Sequence, residues 1–177
     1  NPNTEVVDAS VISQWVIVDA DMNVTFNQEA VKEYIAALAT KYNTKGKPRQ
    51  FTTATGNTVT VEGGGYGWKI DQDAEAAQLT EEIRTGTQTT REPVYSMRAN
   101  SYGVNDLGNT YIEVDLTEQY MWYYQDGNVI FESDIVSGLA SDPKRKTPPG
   151  IFTLYYKKSP DVLRGTKKPD GTYSYEQ

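Results

Sequence analysis

The chain has 177 residues, and its 17 basic side chains against 24 acidic ones leave a net charge of −7. That balance offers no excess of cations to replace phosphate counterions, which excludes nucleic acid as a partner. Cysteine and histidine are both absent; no disulfide, thiolate or imidazole metal site, cofactor or histidine-based nucleophile pair is therefore expected, leaving carboxylates, lysines and tyrosines for any acid–base work.

The mean hydropathy of −0.63 and the lack of a long apolar run predict no transmembrane helix. The start, Asn1-Pro2-Asn3-Thr4, shows no basic-then-apolar leader. It suits either a cytoplasmic chain or one whose leader was removed. Trp15-Val16-Ile17-Val18 reads as a strand, followed by a polar stretch. Within it, Asn23-Val24-Thr25 is a glycosylation sequon, which carries little meaning without a leader. From Asn27, a plausible N-cap, apolar residues fall at Ala30, Val31, Tyr34, Ile35, Leu38 and Tyr42. This is the 3–4 spacing of one helix face, and the helix should end near Asn43.

Residues 51–61 read as a hairpin about Gly56-Asn57. The run Gly63-Gly64-Gly65-Tyr66-Gly67-Trp68 follows, then a helix over 73–85 capped by Asp71 or Asp73, with Leu79 and Ile83 inward and Gly86 as its stop. A short strand over 94–97 follows Pro93. The polar segment 99–109, with Gly103 and Gly108, is the predicted domain boundary. Beyond it Tyr111-Ile112-Glu113-Val114-Asp115-Leu116 alternates in period two. Strands over 120–124, 129–137 and 151–156 are expected next, the first two joined at Asp126-Gly127, with 157–177 polar and turn-rich.

The fold class is therefore α+β: a mixed α/β accessory domain over 1–105, then a mostly β portion over 106–177. Four strands without a helix to cover them leave unpaired edges, so the sequence is expected to stop in the middle of a domain. A small complete four-stranded sheet packed on the first half is the alternative. An interrupted sheet also predicts disorder after about Lys157, or strand pairing between copies.

Three chemical motifs fail. Asp19-Ala20-Asp21-Met22-Asn23 opens like an EF-hand loop, but Val24 stands where glycine is needed and Ala30 where a bidentate Glu is required. The glycine run breaks G-x-G-x-x-G at Trp68, and its glycines are read as sites of close backbone approach or a bulge. Glu113 and Asp115 lie roughly 7 Å apart on one strand face, within glycosidase range. On an alternating strand that face is expected to be the solvated one.

The ordered motifs carry more. Tyr111 to Leu116, Gln119-Tyr120-Met121-Trp122-Tyr123-Tyr124, Asp126-Gly127, Ile135-Val136-Ser137-Gly138 and Thr147-Pro148-Pro149-Gly150-Ile151-Phe152 together resemble the opening of an L,D-transpeptidase (YkuD-type) catalytic domain. The first half, most clearly Gly64 to Asp71 and 79–86, resembles the peptidoglycan-binding domain that precedes it in Gram-positive, particularly enterococcal, members. The resemblance implies acyl transfer between peptidoglycan stem peptides through a Cys nucleophile with a nearby His, giving 3→3 cross-links, and acylation of that thiol by carbapenems. It implies an extracytoplasmic protein at the cell wall or anchored to the membrane.

No catalytic residue can be carried over, since the His … Ser/Thr-His-Gly-Cys-x-Asn pattern has no counterpart here. The chain itself is thus expected to be inactive, truncated before that pattern. The alternative is a non-catalytic peptidoglycan or glycan-binding module. Thirteen tyrosines against four phenylalanines suit such a surface. Tyr66, Trp68 and Trp122 are the candidate substrate-binding residues, and packing is the competing role for each.

Overall fold

Two amphipathic helices organise the first half. The computed structural model describes residues 3–103, 105–162 and 164–176. Asn1, Pro2 and Gln177, on which the start and end of the sequence were read, lie outside the described residues. A four-residue helix, α1 (Ala9–Ile12), is capped by the Asp8 carboxylate, which accepts from the amides of Ser10 and Val11. Strands β1 (Val16–Val18) and β2 (Val24–Phe26) form an antiparallel hairpin. Its turn is held by Asp19, which accepts from the Asp21 and Asn23 amides. Asp19, the first acid of the failed EF-hand pattern, thus serves a turn.

Helix α2 (Gln28–Tyr42) starts at Asn27, whose side chain accepts from the Ala30 amide, and buries Val31, Ile35 and Ala39. The 3–4 spacing places them on one stripe, where each large aliphatic contributes about 1.5–3 kcal/mol. Strands β3 (Arg49–Thr52) and β4 (Thr58–Val61) form the expected hairpin. Strand β5 (Lys69–Ile70) leads into α3 (Gln72–Thr85), which Asp71 caps and Gly86, in the left-handed region, terminates. Strand β6 (Tyr95–Met97) pairs with β5. Trp15, the α2 stripe, Ile70, Ala76 and Leu79 make one core.

Glu75 sits on the buried side of α3 without being apolar. Its carboxylate accepts from Arg91 Nη1 at 2.9 Å and from the Val94 amide at 2.7 Å. Arg91 also reaches Glu82 at 2.7 Å, holding that carboxyl below its usual range. The strand-bound segment after α3 is therefore latched to the helix by charge-assisted hydrogen bonds.

The second half is a three-stranded antiparallel sheet, β7 (Tyr111–Asp115), β8 (Tyr120–Gln125) and β9 (Asn128–Asp134), in the order β7-β8-β9. The expected fourth strand over 151–156 does not form. Ile151 instead makes an isolated parallel bridge with Gly64, and Leu154, Tyr155 and Tyr156 are exposed. With Ile151 drawn to the glycine run, the residues after it have no strand beside them to complete a ladder among the described residues. Over 152–176 those residues make only the bridges Arg164↔Glu176 and Lys167↔Tyr173.

The sheet also corrects the face assignment. Glu113 is 9 % exposed, whereas Ile112 and Val114 are 50 % and 44 % exposed. The face carrying Tyr111 and Glu113 turns toward the β3–β4 hairpin, and the aliphatic face, which includes Phe131 opposite Tyr123, is left open. Among the described residues no helix is long and apolar enough to cross a membrane.

Candidate functional site at the junction of the two halves

The most recognisable motifs of the two halves meet in space. The Ile151 carbonyl accepts from the Gly65 amide at 3.0 Å and the Tyr66 amide at 3.2 Å, and the Ile151 amide donates to the Gly63 carbonyl. A Cβ on Gly64 would overlap the Ile151 backbone, and Gly64 itself has φ +81°. The glycine run thus serves close backbone approach, as its composition suggests. Gly64→Ala is expected to cost about 1–3 kcal/mol and to undock 149–151. Loss of the Gly65 and Tyr66 amides' exchange protection would show it; unchanged protection would contradict it.

On the other side of that docking the ordered motifs of the second half interlock. Gln119 Nε2 donates to the Leu116 carbonyl and to Ser137 Oγ, and its Oε1 accepts from the Ser137 amide at 2.7 Å. The Gly138 amide donates to Thr147 Oγ1 at 2.8 Å. Gln119, Ser137-Gly138 and Thr147, far apart in sequence, therefore form one hydrogen-bonded chain at the end of the sheet.

The segment between the halves is a polar joint. Asp106 and Arg49 form a bidentate pair at 2.6 and 2.7 Å, with side chains 3 % and 7 % exposed. Thr44 Oγ1 donates to the same carboxylate, Arg49 Nη1 donates to the Lys47 carbonyl and Nη2 to the Thr44 carbonyl. The Asp106 hydrogen bonds hold the Arg49 guanidinium above its ordinary pKa. Gly67 makes room for this, since a Cβ there would stand 2.7 Å from Arg49 Nη2. Among the described residues no buried side-chain polar atom lacks a partner, the condition under which a buried ion pair is tolerated.

Tyr66 and Trp68, two of the candidate binding residues, pin this joint. The Tyr66 hydroxyl donates to the Asp106 carbonyl and accepts from the Asn100 amide, and burial raises its pKa. Trp68 Nε1 donates to the Ser101 carbonyl at 2.9 Å, and the indole stacks on Tyr102 at 4.3 Å. The edge of Trp68 also lines a 240 Å³ recess with Tyr95, Tyr102 and Lys41. Trp122 lies apart from both, on β8, beside Tyr120 and opposite Glu113 and Glu132.

The paired carboxylates are both occupied. Glu113 accepts from the Ala54 amide at 2.8 Å, tying β7 to the β3–β4 turn, and Asp115 accepts from the Thr117 and Glu118 amides. Burial raises the Glu113 pKa above the ordinary 4.5, against the Ala54 hydrogen bond and with help from Asp115. A raised folded pKa means that protonation favours the folded state. This contribution is present below pH 4.5 and is lost as pH rises through the raised value. Glu113→Gln should therefore flatten that part of the pH–stability profile; parallel profiles for variant and wild type would contradict it. Among the described residues no group of three metal-ligating side chains converges.

Sequence reasoning missed Arg49, Asp106 and Glu75, since isolated charges in polar stretches give no periodic signal. The glycine at position 67, beside two aromatics, was the one available hint.

Comparison with known families matches residues 1–91 to the family described as "Putative peptidoglycan binding domain" and residues 109–176 to the L,D-transpeptidase catalytic domain. Comparison with curated proteins finds no match. Among solved structures, the crystal structure of a cysteine-to-serine mutant of the Enterococcus faecium L,D-transpeptidase is 38 % identical, with a TM-score of 0.64 over 96 % of this chain and 65 % of that one. The Ldtfm–avibactam carbamoyl enzyme is 37 % identical, with a TM-score of 0.65 over 97 % of this chain and 64 % of that one. The chain thus spans about two-thirds, 64–65 %, of the length of these structures. With both matches in the order that the motifs run, and the docked Gly63–Ile151 contact joining them, the chain belongs to the L,D-transpeptidase family in which a peptidoglycan-binding domain precedes the catalytic domain.

Proposed function

We propose that this chain is the wall-binding and sheet-forming part of a peptidoglycan L,D-transpeptidase that works outside the cytoplasmic membrane. Its partners are peptidoglycan stem peptides, and the reaction of the whole enzyme is acyl transfer forming 3→3 cross-links through a Cys nucleophile. In that chemistry a thiolate attacks an amide carbonyl, expels the terminal amino acid of the donor stem and passes the acyl group to an amine. None of these 177 residues is Cys or His, so this chain performs neither step and holds no thiol for a carbapenem.

The observation that carries the reading is the contact between the glycine run of the peptidoglycan-binding half and the Thr147–Ile151 motif of the catalytic half. It sets the two at a fixed attitude, so that a wall-bound accessory half presents the transpeptidase sheet to the same polymer. Tyr66 and Trp68 serve binding through this attitude, and Trp68 also through the edge it offers to the recess. Trp122 contributes from the sheet.

The open aliphatic face and the edges of β7 and β9, which pair with no further strand among the described residues, favour self-association of this chain at high concentration. Co-sedimentation with purified sacculi tests the binding role, with retention expected and none at low salt contradicting it. Intact mass after incubation with a carbapenem tests the other half: no addition is expected, and a covalent adduct would overturn it.

A further inference from the structure

We infer that the cleft between the β3–β4 hairpin and the β7–β8 strands is a subsite for the sugar backbone of the wall polymer, taking an uncharged N-acetylated hexosamine unit. This rests on the wall-binding reading above and names the part of the polymer that is held there.

The cleft encloses 380 Å³ and draws on both halves and the segment between them, including Gln50, Phe51, Asn105, Asn109, Tyr111 and Tyr124. That volume falls at the lower end of the roughly 300–1,000 Å³ found for small-molecule sites. Among the described residues its lining contains no Asp, Glu, Lys or Arg, in a chain whose net charge is −7. Neutrality decides the ligand class. Stem peptides carry free carboxylates and amines, and desolvating these beside a neutral wall would go uncompensated. An N-acetylated sugar is uncharged and presents hydroxyls, an amide and an apolar ring face.

The lining matches each of those features. Tyr111 stacks on Tyr124 at 4.7 Å and meets Phe51 edge-on at 5.7 Å, giving a continuous aromatic wall for the ring face. The side-chain amides of Asn105 and Asn109 make no hydrogen bond within the chain among the described residues. Each offers a donor and an acceptor to a neighbouring pair of hydroxyls or an acetamido group. Gln50 donates through Nε2 to Thr60, leaving its carbonyl oxygen for a ligand donor. Gly108 and Gly127 line the cleft without adding a side chain to it. Because both halves contribute, a bound sugar would bridge them.

The test is titration of the full, nitrogen-15-labelled chain with a linear tetramer of N-acetylglucosamine, and separately with a stem tetrapeptide. Saturable shifts of the Gly108, Asn109 and Gly127 amides are expected with the sugar and not with the peptide. The double variant Asn105→Ala, Asn109→Ala should weaken sugar binding about 10-fold while the Val31 and Ile35 amides keep their positions. Silent cleft amides at saturating sugar, shifts with the peptide alone, or an undiminished affinity in the variant would each overturn the assignment. Retention on sacculi with silent cleft amides removes only this subsite. Cleft shifts without retention on sacculi would show a cleft that takes the free sugar, and would overturn both the wall-binding role and the assignment of that sugar to the wall polymer.

Discussion

Asp106→Ala is expected to destabilise the chain by about 3–5 kcal/mol. Removing the carboxylate leaves Arg49 as a buried charge without its bidentate partner, and also strips Thr44 Oγ1 of its acceptor. The Arg49→Met, Asp106→Leu double variant should recover the part of that loss that comes from the unpaired buried charge, since a desolvated pair can be exchanged for apolar side chains at little cost. Thr44 Oγ1 still lacks its acceptor there. Urea unfolding of the three proteins would show it. If Asp106→Ala cost less than 1 kcal/mol, or the double variant were no better, the pair could not be the anchor of the joint.

Trp68→Ala should cost a similar amount, about 3–5 kcal/mol, through the cavity beneath Tyr102. The indole is buried, stacked at an interplanar angle of 4° on Tyr102 and hydrogen-bonded to Ser101. Trp68→Phe keeps most of the ring contact and loses the Nε1 hydrogen bond, so it should cost about 1–3 kcal/mol. Thermal unfolding at one pH separates these outcomes. A Trp68→Ala chain as stable as wild type would show that the indole packs on nothing that matters for folding. Arg91→Met should cost less, about 1.5–3 kcal/mol, by leaving the Glu75 and Glu82 carboxylates of α3 without the guanidinium that bridges them.

The helices were legible in the sequence because capping and periodicity agree with packing. Asn27, Asp71 and Gly86 mark the ends of α2 and α3, and Val31, Ile35 and Leu79 mark their buried sides. The β3–β4 and β8–β9 hairpins followed from turn chemistry at Gly56 and Asp126-Gly127. Strand β2 was hidden in a polar stretch, because its pairing partner β1 and not its own composition makes it a strand. The fourth strand was over-read for the same reason: 151–156 has strand composition, but Ile151 is taken by the glycine run.

The face of β7 was misread because period two identifies two faces without saying which is covered. Tertiary contact with Ala54 and Phe51 chose the face with Glu113. The candidate site was legible as motifs and as aromatics, since Tyr66 and Trp68 stand in the glycine run. That these motifs meet through a buried Arg49–Asp106 pair was not legible, because no local pattern announces which charges fold inward. The polar segment 99–109 reads as an exposed linker by composition, yet Ala99 and Asp106 are buried.

Native-state hydrogen exchange at the joint tests the central claim, that the two halves are held as one unit around Asp106. The account predicts that the Asn100 and Ser101 amides, bonded to the Tyr66 hydroxyl and the Asp106 carbonyl, open only with the α2 core. Their opening free energies should equal those of Val31 and Ile35. Exchange of these two amides at the rate of a free loop, with α2 still protected, would show instead a flexible hinge between independent halves.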